Sequence, residues 1–156
     1  MAGAPATAVV WERLHLEGFG RHRDLRVAFP EGLGVWVAPN EAGKSTALLG
    51  LVAVLWGLPH VQDRDGFTWA RFRPWGGGAQ RGEVTLRVDG RRFTVRRAFD
   101  AHAVRVVAHE PEGDRVVLEA AHNPNARKEV TAYGPWLQAT LGLTDADLVL
   151  ATFVVA

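Results

Sequence analysis

Residues 35–55 read VWVAPNEAGKSTALLGLVAVL: an apolar run, a short polar loop closing on Gly43-Lys44-Ser45-Thr46, and a second apolar run. This order predicts a strand, a turn and a helix whose N-terminus faces back over the turn. The stretch from Lys44 to Trp56 has no proline, is apolar around most of its circumference, and stops at Gly57 with Pro59 just beyond, which predicts a buried helix with a glycine stop. Leu33 to Val37 is nearly all apolar, the pattern of a short strand buried on both faces.

A loop between a buried strand and a helix start is a ready anion site. Successive backbone N–H groups point inward, and the helix dipole adds partial positive charge. Gly43 lets the backbone approach phosphates closely, Lys44 can reach β and γ oxygens, the Ser45 hydroxyl can bind Mg²⁺, and Thr46 can touch an α-phosphate. Together with the backbone of Asn40, Glu41 and Ala42, these residues form the candidate nucleoside-triphosphate site over 38–46. Lys44 is its one catalytic candidate, and only it and Lys128 are lysine among 18 basic residues. One position departs from the usual loop: Ala38 stands where glycine is common, and a positive φ there would cost of order 1 kcal/mol.

The bulk numbers constrain less. A chain of 156 residues is most simply one domain with a real core, and 47% apolar with 22% charged residues is ordinary globular composition. The net charge of +1 requires any nucleic-acid partner to be met by a local patch. No cysteine is present, so disulfides and thiolate metal sites are excluded. The longest apolar run, Ala47 to Leu58, falls short of the roughly 20 residues that span a bilayer, and the start lacks a secretory pattern. The expectation is a cytoplasmic protein, without membrane attachment, whose residues 1–8 form a loose tail.

Along the chain, Val9–Leu16 and Leu25–Phe29 read as strands joined by the glycine-containing stretch 17–24. Residues 58–82 hold no sustained period and many turn formers, predicting a long surface loop. From about 82 to 120 short alternating segments punctuated by Asp89-Gly90 and Glu112-Gly113 predict an antiparallel meander. A helix is expected from about Val130 to Leu141, stopping at Gly142, and another starting at Thr144.

On these residues the chain resembles a known group. VWVAPNEAGKSTALLGLVAVLWGL is similar to the N-terminal phosphate-loop segment of the SMC, RecF and SbcC group of ABC-type ATPases, whose pattern runs G-P-N-x-x-G-K-S-[ST]. The Asn-Glu-Ala-Gly-Lys-Ser-Thr version resembles the SbcC-like and YhaN-like branch. LHLEGFGRHRDLRVAFPEGL is similar to the group's opening, FRPWGGG to a segment after its first helix, and TDADLVLATFVVA to the run leading into its Q-loop. The likeness implies an α/β P-loop NTPase fold, with residues 9–156 as the N-terminal lobe of an ABC-type head carrying an antiparallel β-subdomain. It also implies ATP and Mg²⁺ as cofactors, a C-terminal lobe in the same or another chain, a second head across an ATP sandwich, and DNA repair or DNA-end processing as the setting.

The group's remaining catalytic parts are not found in the sequence. No four apolar residues precede Asp-Glu; the nearest string is RVVLE, with a lone Glu119, and nothing resembles Leu-Ser-Gly-Gly. The chain stops where the Q-loop glutamine is due. Water attack on a γ-phosphate needs metal held from a second position and a group orienting the water, so ATP hydrolysis is expected only from a completed head, the isolated chain being inactive or very weak. Two alternatives stay open: a stand-alone small P-loop kinase or phosphotransferase, and a non-enzymatic interaction module with a degenerate loop.

Other residues carry two readings each. Arg21, His22 and Arg23 are either a solvated basic turn or, by resemblance, contacts to nucleotide phosphates or DNA. Asn40 and Glu41 either solvate the loop crown or face a second head. Arg71, Arg73 and Trp75 form a structural turn or stack on a base. Arg91, Arg92, Arg96 and Arg97 crowd one hairpin, facing both ways on a solvated sheet or meeting duplex DNA. The six histidines show no i, i+4 pairing that suggests zinc, and no Ser, His and Asp set suggests a nucleophile.

Overall fold

A computed structural model describes residues 8–39, 42–58, 68–124 and 132–142. Within them the elements run β1 (Val9–Phe19), β2 (His22–Ala28), α1 (Lys44–Trp56), β3 (Arg81–Val88), β4 (Arg91–Ala98), β5 (Ala103–Glu110), β6 (Gly113–Ala121) and α2 (Tyr133–Leu141). The six strands form one antiparallel sheet in the order β2-β1-β3-β4-β5-β6. No described helix is long and apolar enough to cross a membrane.

Alternation decides which face is which. Leu14 and Leu16 on β1, Val84, Leu86 and Val88 on β3, and Phe93 and Val95 on β4 point to one side and are buried there beneath α1. The helix is buried continuously from Gly50 to Leu55, as its all-round apolar sequence requires. Two glycines set how closely it lies: a methyl at Gly50 would stand 2.4 Å from Leu16 Cδ1, and one at Gly82 would stand 2.4 Å from Val54 Cγ2.

The opposite face is a ladder of charge and hydroxyl groups. Glu12 lies 2.6 Å from both Arg87 Nε and Arg92 Nε, and Arg96 Nε donates to Glu83 at 2.6 Å. The hydrogen bond from Arg92, aided by both guanidinium charges, holds the Glu12 carboxyl below its ordinary range although partial burial pushes the other way.

Arg97, from the same hairpin, points inward and is 2% exposed. Its Nε donates to Val54 O at 2.8 Å and its Nη2 to Leu55 O at 3.2 Å, so it occupies the last carbonyls of α1, where a cation also meets the negative end of the helix dipole. Nη2 also donates to His122 Nδ1 at 3.1 Å, and Tyr133 Oη donates to Leu55 O at 2.6 Å. A guanidinium can only donate, so His122 accepts at Nδ1 and carries its proton on Nε2.

The helix Lys44–Trp56 with its stop at Gly57 and the antiparallel meander stand as the sequence predicts, and Asp89-Gly90 turns with φ of 48° and 81°. Three expectations are corrected. Leu33–Val37 forms no strand and lies at the surface, with Leu33 93% and Val37 86% exposed. An apolar run becomes a strand only where neighbours take up its backbone groups, and no described strand pairs with 33–37, the sheet ending at β2 on one side and β6 on the other. The connection expected over 17–24 shrinks to Gly20-Arg21, because β1 runs on to Phe19 and pairs it with His22. Part of the expected surface loop is anchored inside: Thr68, Phe72 and Gln80 are buried, with Phe72 stacked on Phe19 at 4.8 Å. The second helix is described from Tyr133 and ends at Gly142 in the left-handed region. The expectations for residues 1–7, for 130–131 and for a helix from Thr144 lie outside the described residues.

Burial, followed by the neighbouring Arg97 charge, pushes the His122 imidazole from its usual 6.5 down to about 4. The unfolded chain therefore binds a proton that the folded chain refuses between those values, and the stability contributed by neutral His122 is lost as pH falls from about 6.5 towards 4. Urea unfolding at pH 7 and pH 5 is expected to show this loss, and His122→Asn, which keeps an acceptor but cannot titrate, to show a flatter dependence.

Candidate nucleotide site

The first turn of α1 and the β1–β2 hairpin meet at one corner of the sheet. Gly43 caps the helix with φ 87° and ψ 23°, a left-handed conformation that a side chain adopts only at a cost. Space excludes one as well, since a methyl at Gly43 would stand 2.5 Å from His22 Nε2 and 2.9 Å from Arg21 Cδ. The first turn of α1 contains no acidic residue, and its first amide bonded back along the helix is Ala47 N, to Gly43 O at 2.9 Å. The amides at the start of the helix thus face the loop with no carboxylate competing for them.

Lys44 Nζ reaches back across the loop and donates to Ala38 O at 2.8 Å. The ammonium closes the loop from inside, where it would meet phosphate oxygens. Ala38, the departure from the usual glycine, is not among the described residues with positive φ, so the conditional strain does not arise. Ser45 is exposed at the helix start, and Thr46 Cγ2 lies 3.3 Å from where a Cβ of Gly20 would be. Ala42 N donates to Pro39 O at 3.1 Å, tightening the loop before Gly43. Asn40 and Glu41 lie outside the described residues.

The hairpin turn brings Arg21 and His22 to the loop, His22 Nε2 lying 3.0 Å from Gly43 O. Arg23 goes elsewhere, its Nη2 2.7 Å from where a Cβ of Gly76 would be. His22 is therefore a closer neighbour of the loop than Arg23, which a basic triplet read along the chain does not reveal. The 71–75 residues separate similarly: Arg73 lies 3.9 Å over the Trp69 ring, whereas Trp75 is 79% exposed.

Folding also assembles a set that sequence order hides. Asp114 Oδ1 lies 2.7 Å from His109 Nδ1, and His109 Nε2 lies 2.7 Å from Thr94 Oγ1, the connectivity of an acid, a base and a nucleophile. Thr94 is only 2% exposed and also bonds Thr85 Oγ1 at 3.0 Å, so the chain of hydroxyl, imidazole and carboxylate is a cross-strand brace.

A glycine-capped helix preceded by a lysine-closed loop is the phosphate-binding corner of a P-loop nucleoside-triphosphate domain. Residues 10–101 match the family described as an AAA domain, a span holding β1 to β4 and the whole loop, and the chain belongs to that family. No curated protein matches it significantly. The protein is thus a P-loop ATPase-like, nucleotide-binding domain, and the donors among the described loop residues suit a triphosphate with Mg²⁺: Lys44 and the helix-start amides would hold phosphate oxygens, and Ser45 would offer its hydroxyl to the metal. Bound there, the metal would neutralise charge on the β and γ oxygens.

Gly43→Ala is expected to cost at least about 1–2 kcal/mol from the left-handed conformation alone, with displacement of His22 in addition. Guanidinium unfolding compared with Gly77→Ala, where φ is 71° and no atom crowds the site, separates the contact from the backbone term.

Proposed function

We propose that this chain is the N-terminal half of an ABC-type ATPase head of the SMC, RecF and SbcC group, close to its YhaN-like branch, and that it serves ATP-dependent repair or processing of DNA ends. The observation that carries the half-head reading is the apolar run Leu33, Val35, Trp36 and Val37, exposed at the surface and leading straight into the phosphate loop. Contiguous apolar surface of this kind marks an interface, and a strand-length run at this place suits a sheet completed by a further lobe. The absence from the sequence of an apolar run ending in Asp-Glu and of a Leu-Ser-Gly-Gly string supports the same division of labour.

In the assembled head Lys44, Ser45 and the loop backbone hold the triphosphate, while the C-terminal lobe and a second head supply the acid, the signature motif and the water-orienting group. DNA contact through the β3–β4 hairpin has less support, because Arg92 and Arg96 already face Glu12 and Glu83, and Arg97 serves the helix.

The isolated 156-residue chain is expected to bind Mg-ATP with a rise in melting temperature that Lys44→Ala removes, the variant losing roughly ten- to a hundredfold in affinity. Its turnover should fall at least two orders of magnitude below the roughly 10 s⁻¹ common to complete enzymes. Turnover near that figure from the chain alone would overturn the half-head assignment. Val35→Glu should leave stability in urea within about 0.5 kcal/mol of the parent; a loss above about 1 kcal/mol would mean that the run is already packed within this chain.

A further inference from the structure

Beside the phosphate loop lies a groove of about 500 Å³ between the β1–β2 hairpin and the segment 74–79. Its floor is backbone. Gly18 approaches Ala79 so closely that a methyl would stand 2.1 Å from the Ala79 carbonyl oxygen, and Gly20 N donates to Phe72 O at 2.9 Å while Gly20 O accepts from Trp75 N at 3.1 Å. The groove is therefore held by main-chain bonds on both sides of Gly20. Gly20 in turn abuts Thr46 in the first turn of α1, so one residue separates the phosphate corner from the groove.

The walls carry the chemistry of a base site. Trp75 lines the groove and is 79% exposed, an unusual state for a large aromatic residue whose backbone is pinned at Gly20. Arg21 and His22 stand at the end nearest Gly43, and Arg23 lies along Gly76 on the other wall. An exposed flat ring bordered by guanidinium groups offers a stacking platform, and a purine presents the larger face to it.

We infer that the nucleobase of the triphosphate held by the loop lies in this groove, stacked on Trp75, so that the site selects purine over pyrimidine nucleotides. The inference rests on the nucleotide-binding reading of the loop and adds the subsite that recognises the base. Arg21 and His22 stand where the tail of such a nucleotide passes from groove to loop.

Calorimetric titration of the whole chain with Mg-AMP-PNP, Mg-CTP and inorganic tripolyphosphate tests it. Trp75→Ala is expected to weaken AMP-PNP about tenfold, to erase the preference over CTP, and to leave tripolyphosphate unchanged; Trp75→Phe should restore most of the loss. Lys44→Ala should weaken all three ligands. If Trp75→Ala binds AMP-PNP like the parent while Lys44→Ala fails, the groove assignment falls and the loop reading stands. Equal loss of AMP-PNP and tripolyphosphate in Trp75→Ala would likewise overturn it, making Trp75 a support of the loop. A parent chain that binds none of the three removes both readings.

Discussion

Leu16 of β1 and Gly50 of α1 meet with no room for a methyl between them, and Val54 meets Gly82 of β3 in the same way. The helix is thereby laid flat on the sheet at two points along its length. Its C-terminal carbonyls are taken by the buried Arg97 and by Tyr133, which fixes its far end. With both position and end set, the N-terminal turn faces the β1–β2 hairpin, and the candidate anion site is where the helix dipole emerges. Extra volume at either glycine would move the helix away from the hairpin that forms the other half of the site.

Arg97 shows how one residue type serves two purposes on one hairpin. Arg92 and Arg96, an even number of residues apart, lie on the outer face beside Glu12 and Glu83. One step along the strand, Arg97 enters the interior and meets four acceptors, the carbonyl oxygens of Val54, Leu55 and His122 and the ring nitrogen of His122. A buried guanidinium is tolerable only when its donors are satisfied, and a helix C-terminus is one of the few places in an apolar core with unused carbonyls to satisfy them. Burial, and after it the Arg97 charge, keep the His122 ring neutral at pH 7.

The glycine-rich stretch 76–78 and the hairpin glycines at 18 and 20 have a common role. Gly18, Gly20, Gly77 and Gly78 turn with positive φ, and Gly76 leaves room for the Arg23 guanidinium. Gly18 and Gly20 let the 72–79 segment lie against the hairpin, which buries Phe72 on Phe19 while leaving Trp75 in the open. The exposed indole and the exposed Leu33–Val37 run are two apolar surfaces of different kinds: one beside a groove of small-molecule size, the other an extended strip leading into the loop.

By itself the sequence determined the helix from Lys44 to its stop at Gly57, the meander with its Asp-Gly turn, and the glycine at 43 that opens the helix, because each depends on residues within a few positions of one another. Tertiary structure alone decided the rest. Whether Leu33–Val37 is a strand depends on neighbours willing to share hydrogen bonds, which no local pattern encodes. The inward turn of Arg97, the linkage of Thr94, His109 and Asp114, and the approach of His22 to Gly43 all join residues distant along the chain or on different elements. Distances between such groups are set by strand register and by the two helix–sheet contacts, and only the packed chain contains them.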